Sequence, residues 1–563
     1  MAGVLAAVLI FTNLGGDYLW EDEGDTAVLA ENILRFGVPK AWDGVSFNDS
    51  DRGARLNRDL VMVSHPWLQY YLAATSFAVF KESNWAARFP FALSGWLTVL
   101  VIYACVYDVT KNRSSAFCAA TLLTASIQFL LYCRQCRYYS TNMLLSVLLV
   151  WVFFRLKTPR SGALFAIVSI LLFHSDPFGI VLVGAVALTS FLSRSFASER
   201  RFLWWTAPII AILTLPWIIF ARFGYAENSQ LVRSPAQFAG RLVQYLIECA
   251  SVTPLIGLLV LGLIYWIFSA LRPETADGQG TTSHNSTLSR NELGLFLVTI
   301  VALICYDAAI AVTESSDDLW RIGIRHATAM LPLVSMATAV LMIKISRSHG
   351  AIWVSLLLLF IFTKAAQLTP WVFWERKVAS FDGKEVIEAH LPQYYLDRYL
   401  NLGQQLAFLR DLRELNPGTL AKTCQFLHQH AAPGDIVLTN YEWDPLYFHT
   451  RLPQALKIFP DYPIYQTARA KGLPEYVFDI DHVRWVIWRP IWEGYVGYFG
   501  DKISRQILDR GARVTREAQF EETIWENRPE IHLHRFAGNK YFFTAPENQR
   551  PAEIFEIHWP ESH

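Results

Sequence analysis

The sequence predicts a polytopic α-helical membrane protein with a soluble α/β domain at its C-terminal end. Three observations predict it. Of the 563 residues, 53% are hydrophobic and 14% aromatic against 17% charged, and mean hydropathy is positive, which is more apolar than an ordinary soluble enzyme. Apolar runs long enough to span a bilayer, or nearly so, recur as far as Trp374, and hydropathy then drops. Basic residues fall in every second connection between those runs. Formal net charge is zero, so nothing points to a nucleic-acid partner. The seven Cys show no disulfide framework or zinc spacing. "CRQC" at Cys133 to Cys136 has redox-motif spacing but ends an apolar run, where buried free thiols are the plainer account.

The first run is N-terminal, and the others are 91–107, 116–133, 139–154, 202–221, 247–271, 293–312, 327–345 and 351–374. Two shorter runs between Arg160 and Arg194, split by "HSDPFG", read as a tight hairpin of spans. The total is about eleven crossings. Lys111 with Arg113, Arg155 with Lys157 and Arg160, Arg194 with Arg200 and Arg201, Arg272 with Arg290, and Lys344 with Arg347 mark the cytoplasmic connections. "RQCRYYST", "HSDPFG", residues 222–246, "TESSDDLWRIGIRH" and everything after Trp374 are then external.

This parity holds only if "PWLQYYLAATSFAVF", Pro66 to Phe80, does not cross; it is short for a span and rich in Trp and Tyr, which suits a helix lying in the interface. The first external loop therefore runs over 15–90. Within it "DTAVLAENILRFGVP" places Leu29, Ile33 and Phe36 on one helical face and Glu31, Asn32 and Arg35 opposite, with Gly37 and Pro39 as a stop. The acids of "DYLWEDEGD" precede that helix, where its dipole favours negative charge. "RPETADGQGTTSHNSTLSRNE" reads as a cytoplasmic tether. Beyond Trp374, "GDIVLTNY" and "HVRWVIWRP" read as strands beside helical "LAKTCQFLHQH". The expected division is a membrane domain over 1–374 and an external α/β domain over 375–563.

An acidic pair just after the first span, followed by two juxtamembrane helices in a large first external loop, resembles the C-type glycosyltransferase (GT-C) fold. More narrowly, the chain resembles the superfamily of protein O-mannosyltransferases and lipid A aminoarabinose transferases (glycosyltransferase family 39). "DEGDTAVLAENILRFGVP" from Asp22, "SHPWLQYYL" with His65 and Pro66, "AARFPFAL" with Arg88, and "CRQCRYYST" carry the likeness, which covers roughly Asp17 to Pro216 well and the later spans by architecture. There are departures. Gly24 and Asp25 stand where the aminoarabinose transferases have Arg-Tyr, His65 replaces their Lys, and Trp67 stands for the second Pro.

The resemblance implies transfer of a hexose or pentose from a polyprenyl-phosphate donor to a protein, lipid or glycan acceptor, without a cofactor. It places the protein in the inner (plasma) membrane, with the active site and C-terminal domain on the periplasmic or extracellular side. Attack at an anomeric carbon needs a base for the acceptor hydroxyl. Asp22 is the expected base, Glu23 the residue that orients the acceptor or the base, and Glu21 a weaker third candidate; the bland account is that these acids only cap and solvate the helix start.

The departing phosphate gains charge and needs cations. Arg134, Arg137 and Arg88 are candidates, as are Tyr138 and Tyr139, His65 and, by position before a later span, Arg325 with Arg321 and His326 nearby. Interfacial anchoring and snorkelling explain the same Arg and Tyr equally well. His174 and Asp176 of "HSDPFG" are further external candidates to join the site, which Asp-Pro turn chemistry explains equally well. Glu23 with His65 or His174 suggests a metal pair, but no ligand spacing demands one, so a metal-independent enzyme is expected. Trp443, Trp485, Trp488 and Trp492 suit either sugar stacking or a core. The rival reading is a polytopic transporter or cell-envelope scaffold; such pathways carry mid-span polar or broken positions and repeat symmetry, and here only Asp307 interrupts a span.

Overall fold

Helix after helix follows the apolar runs, with breaks where the sequence carries a breaker. The computed structural model describes residues 1–48, 56–63, 65–220, 234–270, 288–313, 323–362, 375–381, 384–389, 404–414, 418–455, 463–489, 503–521, 528–529, 532–533 and 551–560. Most of the expected tether, together with Arg321 and Trp492, lies outside the described residues. The helices are α1 (Ala2–Phe11), α2 (Glu21–Phe36), α3 (Leu68–Phe80), α4 (Asn84–Thr110), α5 (Arg113–Ala125), α6 (Ile127–Cys133), α7 (Tyr139–Phe154), α8 (Pro159–Ser175) and α9 (Gly179–Leu192). They continue as α10 (Ala197–Phe220), α11 (Pro235–Val252), α12 (Pro254–Ala270), α13 (Arg290–Thr313), α14 (Gly323–His326) and α15 (Leu331–Phe362).

Among the described residues, four helices are long and apolar enough to cross a membrane: 84–110, 194–220, 290–312 and 327–345; the bent pair α5–α6 makes a fifth. Four runs depart from expectation. The run 116–133 turns through 69° at Ser126, whose extended backbone ends α5 and whose hydroxyl accepts from the Phe129 amide to start α6. The run 247–271 is divided at Thr253 before Pro254, because proline disfavours a helical residue ahead of it. The runs 327–345 and 351–374 join as far as Phe362 into the 32-residue α15.

The connections sort to two ends of the bundle as their basic residues suggest. At one end Asp108 accepts from Lys111 at 2.8 Å and Arg155 at 2.7 Å, Arg290 pairs with Glu199 at 3.1 Å, and Lys344 with Glu292 at 2.8 Å. Phe154 touches Phe196 there, tying α7 to the start of α10. The "RQCRYYST" and "HSDPFG" turns and the start of α2 gather at the other end.

After α15 come the antiparallel hairpin β1 (Glu375–Phe381) and β2 (Lys384–Ala389). They are followed by α16 (Gln404–Asp411), α17 (Thr419–His430), β3 (Ile436–Thr439), α18 (Trp443–Thr450), β4 (Val483–Trp488), β5 (Arg513–Phe520) and β6 (Ala552–His558). The sheet order is β3-β4-β6-β5, with β3 parallel to β4 and the other pairs antiparallel. Leu427, Val437, Leu446, Trp485, Ile487 and Ile554 pack the sheet against α17 and α18. Trp485 is core here.

One expectation about α2 is corrected. Its polar face, Glu31 and Asn32, is buried like its apolar face, whereas Phe36 is exposed. The reason is tertiary: α18 lies across that face, and α2 is enclosed between α3 and α18.

Candidate active site

The acidic residues stand inside the first turn of α2, since the helix starts at Glu21 rather than at Asp25. Gly37, with φ +75°, ends it as the sequence suggests. Successive helical residues point about 100° apart, so Asp22 and Glu23 enter different surroundings.

Glu23 is fully buried. Arg88 grips it through Nε at 2.8 Å and Nη2 at 2.7 Å, and the Cys136 amide donates to its Oε1 at 2.7 Å. Arg88 also donates to the carbonyls of Leu14, Asp17 and Tyr18 at 2.9–3.0 Å. All five of its N–H groups are therefore used inside the chain. This placement does not fit the expectation that Arg88 faces a donor phosphate; it binds the start of the first loop to α4. Glu23 likewise has no free face for an acceptor.

Arg134 is likewise placed away from Asp22. Its guanidinium donates to the carbonyls of Leu9, Ile10, Thr12 and Asn13 at 2.7–3.3 Å, closing the C-terminal end of α1. The tight turn between α6 and α7 sends Arg134 to α1 and Arg137 to α2. Cys133 and Cys136 in that turn are buried and free.

Asp22 keeps 23% of its side-chain surface exposed. Arg325 donates to its Oδ2 at 2.9 Å, and Arg137 Nη2 lies 3.6 Å from the same oxygen. Arginines rather than neighbouring acids thus dominate its environment. Arg137 is nearly fully buried; its Nη1 reaches the Asp22 carbonyl and Thr26 Oγ1, both at 3.3 Å, and Asp25 Oδ2 at 3.8 Å. Its Nε has no hydrogen-bond partner among the described residues, an incomplete set for a buried cation.

Tyr138 extends the site. Its ring lies beside Arg137 and stacks against His65 with centroids 6.3 Å apart. Its hydroxyl lies 3.3 Å from His326 Nδ1, which is 3.9 Å from Asp176 Oδ2. Burial, then the charge of Asp176, pushes the Tyr138 phenol well above its usual range, so it stays protonated and able to donate. Asp176 also accepts from Asn142 at 3.2 Å and from the Phe178 amide at 3.3 Å, so its turn role and its place near the site coexist. His174 faces Trp217 and the Leu213 carbonyl instead. The sequence offers Asp176 equally as a site candidate and as turn chemistry, and His326 as a neighbour of Arg325; the separation of 150 positions between them leaves no local signal that the two meet.

The arrangement can take a proton at Asp22 and hold an anion against Arg325 and Arg137, with Tyr138 and His65 alongside. The helical framework has counterparts among known structures. The structure of ArnT from Cupriavidus metallidurans bound to undecaprenyl phosphate matches with a TM-score of 0.55 at 13% identity, over 98% of this chain and 96% of that one. The apo ArnT structure from the same organism matches with a TM-score of 0.55 at 12% identity and the same coverage. The fold is the GT-C fold. Within it, residues 64–220 match the family model described as dolichyl-phosphate-mannose-protein mannosyltransferase. That GT-C stretch contains His65, Arg88, Arg134, Arg137 and Tyr138, but begins after Asp22 and Glu23 and ends before Arg325. No curated protein matches the chain.

Proposed function

We propose that the chain is a membrane glycosyltransferase that moves a sugar from a polyprenyl-phosphate donor to an acceptor hydroxyl. The observation that carries this reading is the partly exposed Asp22 carboxylate facing Arg325 at 2.9 Å and the buried Arg137 at 3.6 Å. Similarity to an ArnT structure that holds undecaprenyl phosphate supports a lipid phosphate as the donor's carrier. Asp22 takes the proton of the acceptor hydroxyl as that oxygen bonds to the anomeric carbon. The bond from that carbon to the phosphate oxygen breaks, and its electron pair stays on the phosphate. The added charge develops against Arg325 and Arg137, where preorganised donors count most. Tyr138 and His65 border the same space and supply further donors. Glu23 and Arg88 hold the start of α2 in place rather than touch substrate.

The site faces the periplasmic or extracellular side of the inner (plasma) membrane in this reading. The basic connections at the opposite end of the bundle support that orientation. The α/β domain over 375–563 covers the same side as the site, beyond a membrane domain over 1–374. The test is transfer in proteoliposomes from a panel of radiolabelled polyprenyl-phosphate sugars, with protein, lipid and glycan acceptors offered in turn. Label in an acceptor supports the reading and names the sugar. A folded protein that transfers none of them shifts the weight to a transport or scaffold role.

A further inference from the structure

Directly behind Asp22, the helix that carries it is held by a segment 420 positions away in the chain. Gly24 lies against the first turn of α18. A Cβ at position 24 would sit 2.4 Å from the Pro445 nitrogen and 2.5 Å from its Cδ, so the approach requires glycine. Two turns further along the same face, Glu31 accepts from both terminal nitrogens of Arg451 at 2.6 and 2.7 Å. The same guanidinium reaches Glu82, in the turn between α3 and α4, at 3.0 Å.

Tyr447 donates to Asp43 at 2.5 Å, and Asp43 in turn accepts from the Val45 and Ser46 amides that shape the loop after α2. Tyr447 and Phe448 pack with Leu19, Ala27, Phe77 and Phe91. Both residues flanking α18, Glu442 and Arg451, have φ +59°, a left-handed conformation that residues other than glycine rarely adopt. Each is anchored by an ion pair, Glu442 with Arg489 and Arg451 with Glu31. Strain concentrated at both ends of one short helix, and held there by charge, is the mark of a segment whose placement matters.

We propose that α18 is a positioning clamp, in which Pro445 and Arg451 fix the rotation and depth of α2 so that Asp22 stays opposite Arg325 and Arg137. Gly24 and Glu31 face the clamp, and Asp22 points away from it, so the clamp acts on the reaction only through the placement of α2. The inference rests on the transferase reading for its effect on rate, and on geometry alone for its effect on Asp22.

The test uses the full chain in proteoliposomes with Arg451→Ala, Arg451→Lys and Gly24→Ala. Displacement of a reacting group by about 1 Å costs on the order of 100-fold. Arg451→Ala and Gly24→Ala are therefore expected to lower kcat by about 100-fold, with the donor KM unchanged, and Arg451→Lys to recover most of the loss. An unchanged kcat in folded Arg451→Ala overturns the clamp, as does a loss that falls on KM. A second arm reads position without turnover: the disulfide yield between Asp22→Cys and Arg325→Cys is expected to fall when Arg451→Ala is added. An unchanged yield overturns the clamp even in an inactive protein. A lowered yield, together with an unmodified chain that transfers no sugar, keeps the clamp and removes the transferase reading. Should Arg451→Ala fail to fold, Tyr447→Phe enters both arms with the same expected direction.

Discussion

Two carboxylates one peptide apart lead into two different parts of this molecule. Glu23 closes a sealed cluster in which Arg88 uses every N–H group it has, whereas Asp22 keeps part of its surface exposed and faces two arginines, Arg325 and Arg137. A rotation of one helical residue decides which is which. The comparison teaches that "Asp-Glu" at this helix start is a division of labour: the Glu fixes the helix and the Asp faces outward. The same division recurs in the turn before α7, where Arg134 finishes α1 and Arg137 faces Asp22.

The strongest way to break the comparison is to open its sealed half. Arg88→Ala leaves Glu23 buried without its partner, a change that costs about 3–5 kcal/mol. The expected outcome is loss of most folded protein, read as a collapsed thermal transition and an aggregated elution profile in detergent. A well-folded Arg88→Ala would show that the sealed cluster is not structural.

Asp22→Asn tests the open half. It is expected to leave the thermal transition in place and to lower turnover by about 10³-fold, the middle of the range for a lost general base. Arg325→Ala should follow with a loss of about 100-fold in kcat/KM, as expected for one removed donor at a developing oxyanion. Because the fork geometry differs, Arg325→Lys should recover only part of that loss. If Arg88→Ala and Asp22→Asn instead produced the same folded, inactive protein, the two carboxylates would share one role.

A smaller effect concerns pH at the clamp. Burial, then the charges of Arg88 and Arg451, pulls the imidazole of His449 down to about 3. A folded-state value below the unfolded one means that the unfolded chain takes up the proton first. Stability is then fully present above about pH 6.5 and falls as pH drops toward 3, by up to about 1.4 kcal/mol per pH unit for this group. His449→Gln should flatten that slope in thermal unfolding measured between pH 7 and 4. The smallest effect is expected from Arg134→Ala. It removes a cap from α1, costs on the order of 1 kcal/mol, and leaves turnover unchanged, which separates it from Arg137.

Much of the architecture was legible because local rules produce it. The period of the apolar residues and the alternation of basic connections gave the helices and their two ends, and Gly37 gave the end of α2. In two of the runs that departed from the reading, a single residue with its own backbone preference intervened: Ser126 bent one and Pro254 divided the other. In the site, Asp22 and Arg137 could be named from position, but Arg88 and Arg134 could not be told from them. All four are ionisable residues at one boundary, and sequence records neither how deep each lies nor how many donors the chain consumes.

The sequence by itself determined that this chain is a helical membrane protein with an acidic helix start and basic and aromatic residues in the connections on the same side. Periodicity and charge alternation are properties of neighbours along the chain, and hydrophobic burial enforces them wherever the chain folds. Only the tertiary structure decided that Glu23 belongs to Arg88, that Arg325 comes to Asp22 from 303 positions away, that Asp176 and His326 stand beside Tyr138, and that α18 seals the polar face of α2. Those pairings are closed by packing between distant segments, and a charge selects its partner by proximity in space, on which local patterning is silent.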